Sequence, residues 1–329
     1  MRTFLALRRG LLVLLLALSW AWTIAGAAFC PLLPGWMRVV AALLSVVVPV
    51  WVWRRAGDKW RLASLLPLLG VATLLMLATP KTDRSWEDEQ QRMPRVEVTG
   101  HHVVIHDLRD KRHSSEGQVE YYDLAFPLAR LERVWFGVHL LNGSQLVAHT
   151  FLAFDVETED GWEYFNVSIE VRREKGESFN VLGGLYRKFE LMYVFASEQD
   201  ILIRRAIENS DTIYFFPVKA SKEKVHQLFR SIAARANRLS REPEFYNTLT
   251  NNCTNNIAAH VNRIAPRTVR TVDLRMVFPG LADQLLFDLG LLDSNLDLES
   301  ARRHFRVDQR IKDNQQRVDL SDWIRQSAM

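Results

Sequence analysis

Hydrophobic positions divide the chain into an apolar beginning and an alternating remainder. No charged residue occurs from Gly10 to Met37, which exceeds the roughly 20 residues a helix needs to cross a bilayer. Two further uncharged runs follow, Val39 to Trp53 and Leu62 to Thr79, the last ending at Pro80. The pattern predicts an N-terminal bundle of about three transmembrane helices in residues 1–80, with spans near 11–33, 37–53 and 62–79. Residues 81–95 turn polar and read as a linker. From Val96 the period changes to two, in Val96 to Thr99, Val103 to His106 and Arg133 to Leu141, which announces a half-buried sheet.

A hairpin is written most clearly between Gln145 and Arg172. Its first strand reaches Asp155, Asp160-Gly161 supplies the turn, and Trp162 to Arg172 returns. Alternation puts His149, Phe151, Ala153 and Asp155 on one face of the first strand, and Asn166, Ser168, Glu170 and Arg172 on one face of the second. Tyr186 to Phe195 and Ile213 to Val218 read as further strands. Ser221 can cap a helix running to about Leu239, with Val225, Leu228, Phe229, Ile232 and Ala236 at helical spacing.

That helix leads into Glu244-Phe-Tyr-Asn-Thr-Leu-Thr-Asn-Asn-Cys253-Thr-Asn-Asn-Ile-Ala-Ala-His260. Asn251 or Asn252 can cap a second helix there, which places Cys253 in its first turn. The positive end of a helix favours thiolate over thiol in a cysteine so placed. From Asp293 onward charges crowd the chain, and residues 296–329 read as a charged tail forming a solvated helix.

Charge and cysteine count narrow the functional classes. A net charge of +4, with basic residues interleaved among acidic ones, does not indicate a nucleic-acid partner. Arg8 and Arg9 precede the first apolar run, and Arg54, Arg55, Lys59 and Arg61 follow the second, whereas the connection between them holds only Arg38. The positive-inside rule then leaves the N-terminus in the cytoplasm and everything after Thr79 in the periplasm. A cleaved signal peptide, with Arg8-Arg9 as its basic region, is the competing reading. A lipoprotein signal needs a small residue before Cys30, where Phe29 stands. In an oxidising compartment Cys253 has no partner within its domain, so it is either buried or employed.

An employed thiol needs a base. His260 lies seven positions on, about 10 Å away by helical rise, too far to take the proton. The trio His101, His102 and His106 lacks further ligands for a metal site. His149 is the best candidate, and the orienting group could be Asn166, Ser168 or Glu170. Glu170 is favoured because a carboxylate beside imidazole also stabilises imidazolium.

Several pieces together resemble a known family: Ala148-His149-Thr-Phe-Leu, Ser168 to Ser178, Phe189 to Tyr193, Glu244 to Ile257, Phe278 to Asp283 and Leu289 to Asp293. They are similar to the family defined by the Lnb N-terminal periplasmic domain, to which Lnb-type bacterial lipoprotein N-acyltransferases belong, over about residues 95–295. The order of histidine strand, polar strand and cysteine helix also resembles the circularly permuted papain-like fold of NlpC-type peptidases and lecithin:retinol acyltransferase relatives.

The resemblance implies an α+β, permuted papain-like catalytic domain over residues 96–295, with an antiparallel sheet plus helices. It implies Cys253 as nucleophile and His149 as base, with Glu170 third. Asn252, Asn251, Ser168, Asn166 and Tyr246 would support substrate or oxyanion. Neither cofactor nor metal is expected. The expected donor is a membrane phospholipid, the acceptor a diacylated lipoprotein, and the location the bacterial inner membrane. Two alternatives stand beside this: a peptidoglycan amidase or endopeptidase, and a non-enzymatic membrane-tethered interaction module.

Overall fold

The computed structural model describes residues 2–55, 66–112, 118–159, 161–208, 211–265, 268–270 and 273–326. The basic stretch 56–61, the start of the third apolar run, His113 and Asp160 lie outside them. The chain divides into two compact units. The first comprises residues 1–81, 178–190 and 245–248, and the second 82–177, 191–244 and 249–329.

In the first unit, α1 (Arg2–Phe29) and α2 (Gly35–Arg55) pack as a helical hairpin, joined by α3 (Leu66–Leu77) and the short α4 (Val181–Leu185). Gly26 lets α3 approach α1, since a Cβ there would meet Val71 Cγ1 at 2.7 Å. Tyr186 is buried with Ala27, Cys30, Val71 and Leu75. Of the three expected spans, one is found among the described residues: α2, over Gly35–Val52 with mean hydropathy 1.9, is long and apolar enough to cross a membrane. The described apolar parts of α1 (Leu14–Phe29) and α3 are shorter.

The second unit is built on one sheet: β1 (Arg95–Thr99), β2 (His102–Asp110), β3 (Glu120–Pro127), β4 (Leu131–Leu140), β5 (Ala148–Thr158), β6 (Gly161–Arg172), β7 (Glu190–Ser197) and β8 (Ile213–Pro217). The strand order is β1-β2-β7-β6-β5-β4-β8, with β3 beside β2. The expected hairpin is β5–β6, antiparallel, with Phe151 opposite Ser168 and Ala153 opposite Asn166.

Alternation gives the sheet two different faces. On one, Phe126, Phe154, Phe165 and Phe195 surround Phe229 of α6 (Lys222–Leu239). Ser221 caps α6 by accepting from the Lys224 N–H, and Val225, Leu228, Ile232 and Ala236 form its buried stripe. The following helix, α7 (Cys253–Ile264), lies on the same face, where His260 meets Ser231 of α6 and Tyr193 of β7.

On the other face Phe215 stacks against Trp135 and Phe151. Here the charged C-terminal stretch departs from expectation. It forms α9 (Leu298–His304), α10 (Asp308–Asp313) and α11 (Leu320–Gln326), following α8 (Ala282–Asp288). Ala301, Phe305, Val307, Ile311, Leu320 and Ile324, spaced between the charges, are buried, so the stretch packs against the unit. Arg325, only 3% exposed, bonds Asp155 at 2.7 Å and Glu198 at 2.6 Å and lies 3.8 Å over the Tyr164 ring. An interior guanidinium costs several kcal/mol unless it is paired in this way.

Candidate functional site

Four asparagines build the start of α7. Asn252 is the N-cap: its side chain accepts from the Asn255 N–H at 2.9 Å, while the Asn255 side chain accepts from the Asn252 N–H at 3.2 Å. These bonds satisfy donors that a helix start leaves unpaired. Asn252 Nδ2 also donates to the Met276 carbonyl at 3.0 Å, tying the cap to a distant loop. Asn256 donates to Asn251 Oδ1 at 2.8 Å and to the Asn252 carbonyl at 2.9 Å.

Cys253 therefore occupies the first position of a fixed twelve-residue helix, 4% exposed. Its Sγ has Thr254 Oγ1 as a polar neighbour at 3.9 Å. Among the described residues, no acceptor takes the N–H of Cys253 or of Thr254. Two unspent donors thus accompany the sulfur at the positive end of the helix.

Further along α7, His260 is held neutral by its partners. The Tyr193 hydroxyl donates to Asn256 Oδ1 at 3.2 Å, so it accepts from His260 Nε2 at 2.8 Å, and Ser231 donates to Nδ1 at 2.8 Å. Burial, with Arg263 and Arg235 next, pushes His260 down to about 3. Both ring nitrogens are engaged, which agrees with its rejection as a base.

His149, Ser168 and Glu170 do come together. Ser168 donates to Glu170 Oε1 at 2.8 Å, and Arg205 donates to the same oxygen at 2.5 Å. Since the carboxylate only accepts, the serine proton is committed to it. The 2.7 Å contact between His149 Nε2 and Ser168 Oγ is then donated by the histidine, whose unprotonated nitrogen is Nδ1. Burial by itself would raise Glu170, but Arg205 and Arg109 hold it well below the usual carboxylate range. Arg109 in turn grips Asp200 through two bonds, at 2.6 and 3.0 Å. Burial, with Arg205 next, pushes His149 down to about 3, so it is neutral at physiological pH.

The imidazole and the thiol are not brought together. Thr150 Oγ1 meets Thr254 Oγ1 at 3.1 Å, which fixes the Thr150 face of β5 as the one carrying α7. Alternation sends His149 to the opposite face, with Phe151 and Ser168. Among the described residues no hydrogen bond joins Cys253 and His149, and the helix and the imidazole lie on opposite faces of β5. The histidine strand and the cysteine helix thus meet through Thr150 and Thr254, the residues next to the two expected to pair.

The other expected residues have separate surroundings. Asn166 makes a long contact to the Ser197 carbonyl at 3.5 Å, farther along the polar row. Tyr246 belongs to the first unit, its ring edge on Phe179 and its N–H bonded to the Phe189 carbonyl. Arg205, Arg109 and Asp200, which anchor the row, went unnoticed because no local motif marks them. Thr150 carried a signal: it is the polar member of the otherwise apolar series Leu152, Phe154, Val156.

Taken together, fold and site define an α+β domain with a helix-capped thiol on one sheet face and an ion-paired histidine row on the other, on a chain that carries an apolar helix of membrane-crossing length. Residues 118–280 match the family described as Lnb N-terminal periplasmic domain, and the chain belongs to that family through this region. The matched region contains Cys253, His149, Ser168 and Glu170 and begins after the apolar N-terminus. No curated protein and no solved structure matches the chain.

Proposed function

We propose that the protein is a membrane-anchored thiol acyltransferase acting on lipid and lipoprotein substrates at the periplasmic side. The observation that carries this reading is Cys253 at the first position of a capped helix inside an Lnb-type domain, beside two unspent backbone N–H groups. In this reading the Cys253 thiol attacks the ester carbonyl of a phospholipid through its sulfur and gives up its proton in the same step. The Sγ–C bond forms, the ester C–O bond breaks, and the lysophospholipid alkoxide takes the thiol's proton. The Cys253 and Thr254 N–H groups face the oxyanion. The amine of a diacylated lipoprotein then attacks the thioester, a C–N bond replaces C–S, and the amine proton returns to sulfur. Because β5 separates the imidazole from the thiol, the step is written without the imidazole, and His149 with Ser168 and Glu170 supports the sheet behind it.

A second reading, a non-enzymatic membrane-tethered module, is favoured by the same separation, since a buried thiol without an adjacent base is also an ordinary core residue. One experiment divides them. The full chain is incubated with phospholipid vesicles and its intact mass is measured. The transferase reading expects a hydroxylamine-sensitive acyl adduct that is absent in Cys253→Ala and retained in His149→Gln. Absence of any adduct on the native chain, with lipoprotein N-termini unchanged in cells lacking the protein, selects the module. Loss of the adduct in a folded His149→Gln chain refutes attack without the imidazole.

A further inference from the structure

The N-terminal unit has a feature outside the matched family region. A groove of about 490 Å³ runs along α2, lined there by Arg38, Val39, Ala42, Leu43 and Val46 and on the α1 side by Ile24 and Ala28. The α2 residues recur at spacings of three and four, so they form one straight stripe. From Gly35 to Val46 the helix rises roughly 16 Å, which suits an extended acyl chain better than a compact ligand. Ala28 and Ala42, with small side chains, leave room along it. The volume falls within the range of small-ligand sites, roughly 300–1,000 Å³.

Arg38 is the lone charged group in this lining. Its Nε donates to the Leu33 carbonyl at 2.8 Å, which holds the guanidinium at the end of the groove and leaves its terminal nitrogens to an anion. Its position is unusual in the helical hairpin. Arg8 and Arg9 stand near the start of α1, and Arg54 and Arg55 at the end of α2, whereas Arg38 stands by the connection at the opposite end. A single cation among apolar residues there calls for a fixed negative partner. A planar guanidinium matches a phosphate in two bonds.

We infer that this groove binds one acyl chain of an anionic phospholipid, with the lipid phosphate on Arg38. The site is separate from the thiol chemistry and does not depend on it.

The test uses the full chain in a mild detergent. It is offered equal amounts of phosphatidylglycerol and of a diacylglycerol with the same acyl chains, and adducts are counted by native mass spectrometry. The native chain and Cys253→Ala are expected to hold phosphatidylglycerol at least about ten-fold over diacylglycerol, which corresponds to about 1.4 kcal/mol. Arg38→Gln brings the ratio close to one, Arg38→Lys, which keeps the charge but loses the two-bond geometry, gives an intermediate ratio, and Val46→Trp, which fills the groove, lowers both adducts. Equal retention of the two lipids by the native chain overturns the inference, as does a ratio unmoved by Arg38→Gln. A lipid-free dimer that Val46→Trp dissociates also overturns it, since the groove would then take a second copy. Because Cys253→Ala is assayed alongside, failure here leaves the acyl-transfer reading standing, and failure there leaves this one.

Discussion

Removing the cap of α7 gives the sharpest test of how the thiol is held. In Asn252→Ala the Asn255 N–H loses its 2.9 Å acceptor and the Met276 carbonyl loses its 3.0 Å donor, at a position only 1% exposed. Loss of an N-cap costs about 1 kcal/mol, and a buried carbonyl left without its donor costs about 1–2 kcal/mol more. The helix start should open more readily by about 2–3 kcal/mol. Cys253 is nearly buried, so it reacts with iodoacetamide through such openings, and its labelling rate reports their frequency. Peptide mapping separates it from Cys30. The substitution should accelerate labelling of Cys253 by roughly 30- to 150-fold. Asn255→Ala, which removes only the reciprocal 3.2 Å bond, should give a smaller acceleration of about ten-fold or less. If Asn252→Ala labels Cys253 within about three-fold of the native rate, well below the change that 2–3 kcal/mol implies, the cap does not hold the thiol and the account of this site is wrong.

Two other outcomes follow from the buried histidines. Burial pushes His139 down to about 4 and His149 and His260 to about 3. Against an unfolded value near 6.5, the unfolded chain then binds more protons between roughly pH 6.5 and 4, so stability rises with pH across that window and is lost on acidification. Each histidine contributes up to about 1.4 kcal/mol per pH unit, so urea midpoints should fall steeply from pH 6 to 4 and less steeply in His260→Asn; a flat profile contradicts the burial. The serine relay predicts a tautomer as well: nitrogen NMR of histidine-labelled protein should show the His149 proton on Nε2, with Ser168→Ala admitting the Nδ1 form. A native Nδ1 proton would reverse the direction assigned to the chain of bonds.

Local chemistry made much of this protein legible in its sequence. Period-two alternation placed β5 and β6 and the face shared by His149, Ser168 and Glu170, because a strand's side chains depend only on neighbouring residues. Ser221 and Asn252 announced the starts of α6 and α7 for the same reason, as a cap acts within three residues. Uncharged length marked the apolar N-terminus, and among the described residues one helix, α2, is long and apolar enough to cross a membrane.

Tertiary structure alone decided which side of the sheet each element covers. The sequence paired a histidine strand with a cysteine helix, but only the packing of Phe229, Tyr193 and Thr254 put α7 on the Thr150 face and left His149 on the other. One residue of offset along a strand is enough to exchange the faces. The same holds for Arg205, which reaches Glu170 across 35 positions, and Arg325, which reaches Asp155 across 170. A charge that far from its partner reads as solvated until the fold closes the distance, because ion pairing depends on separation in space and leaves no local pattern in the chain.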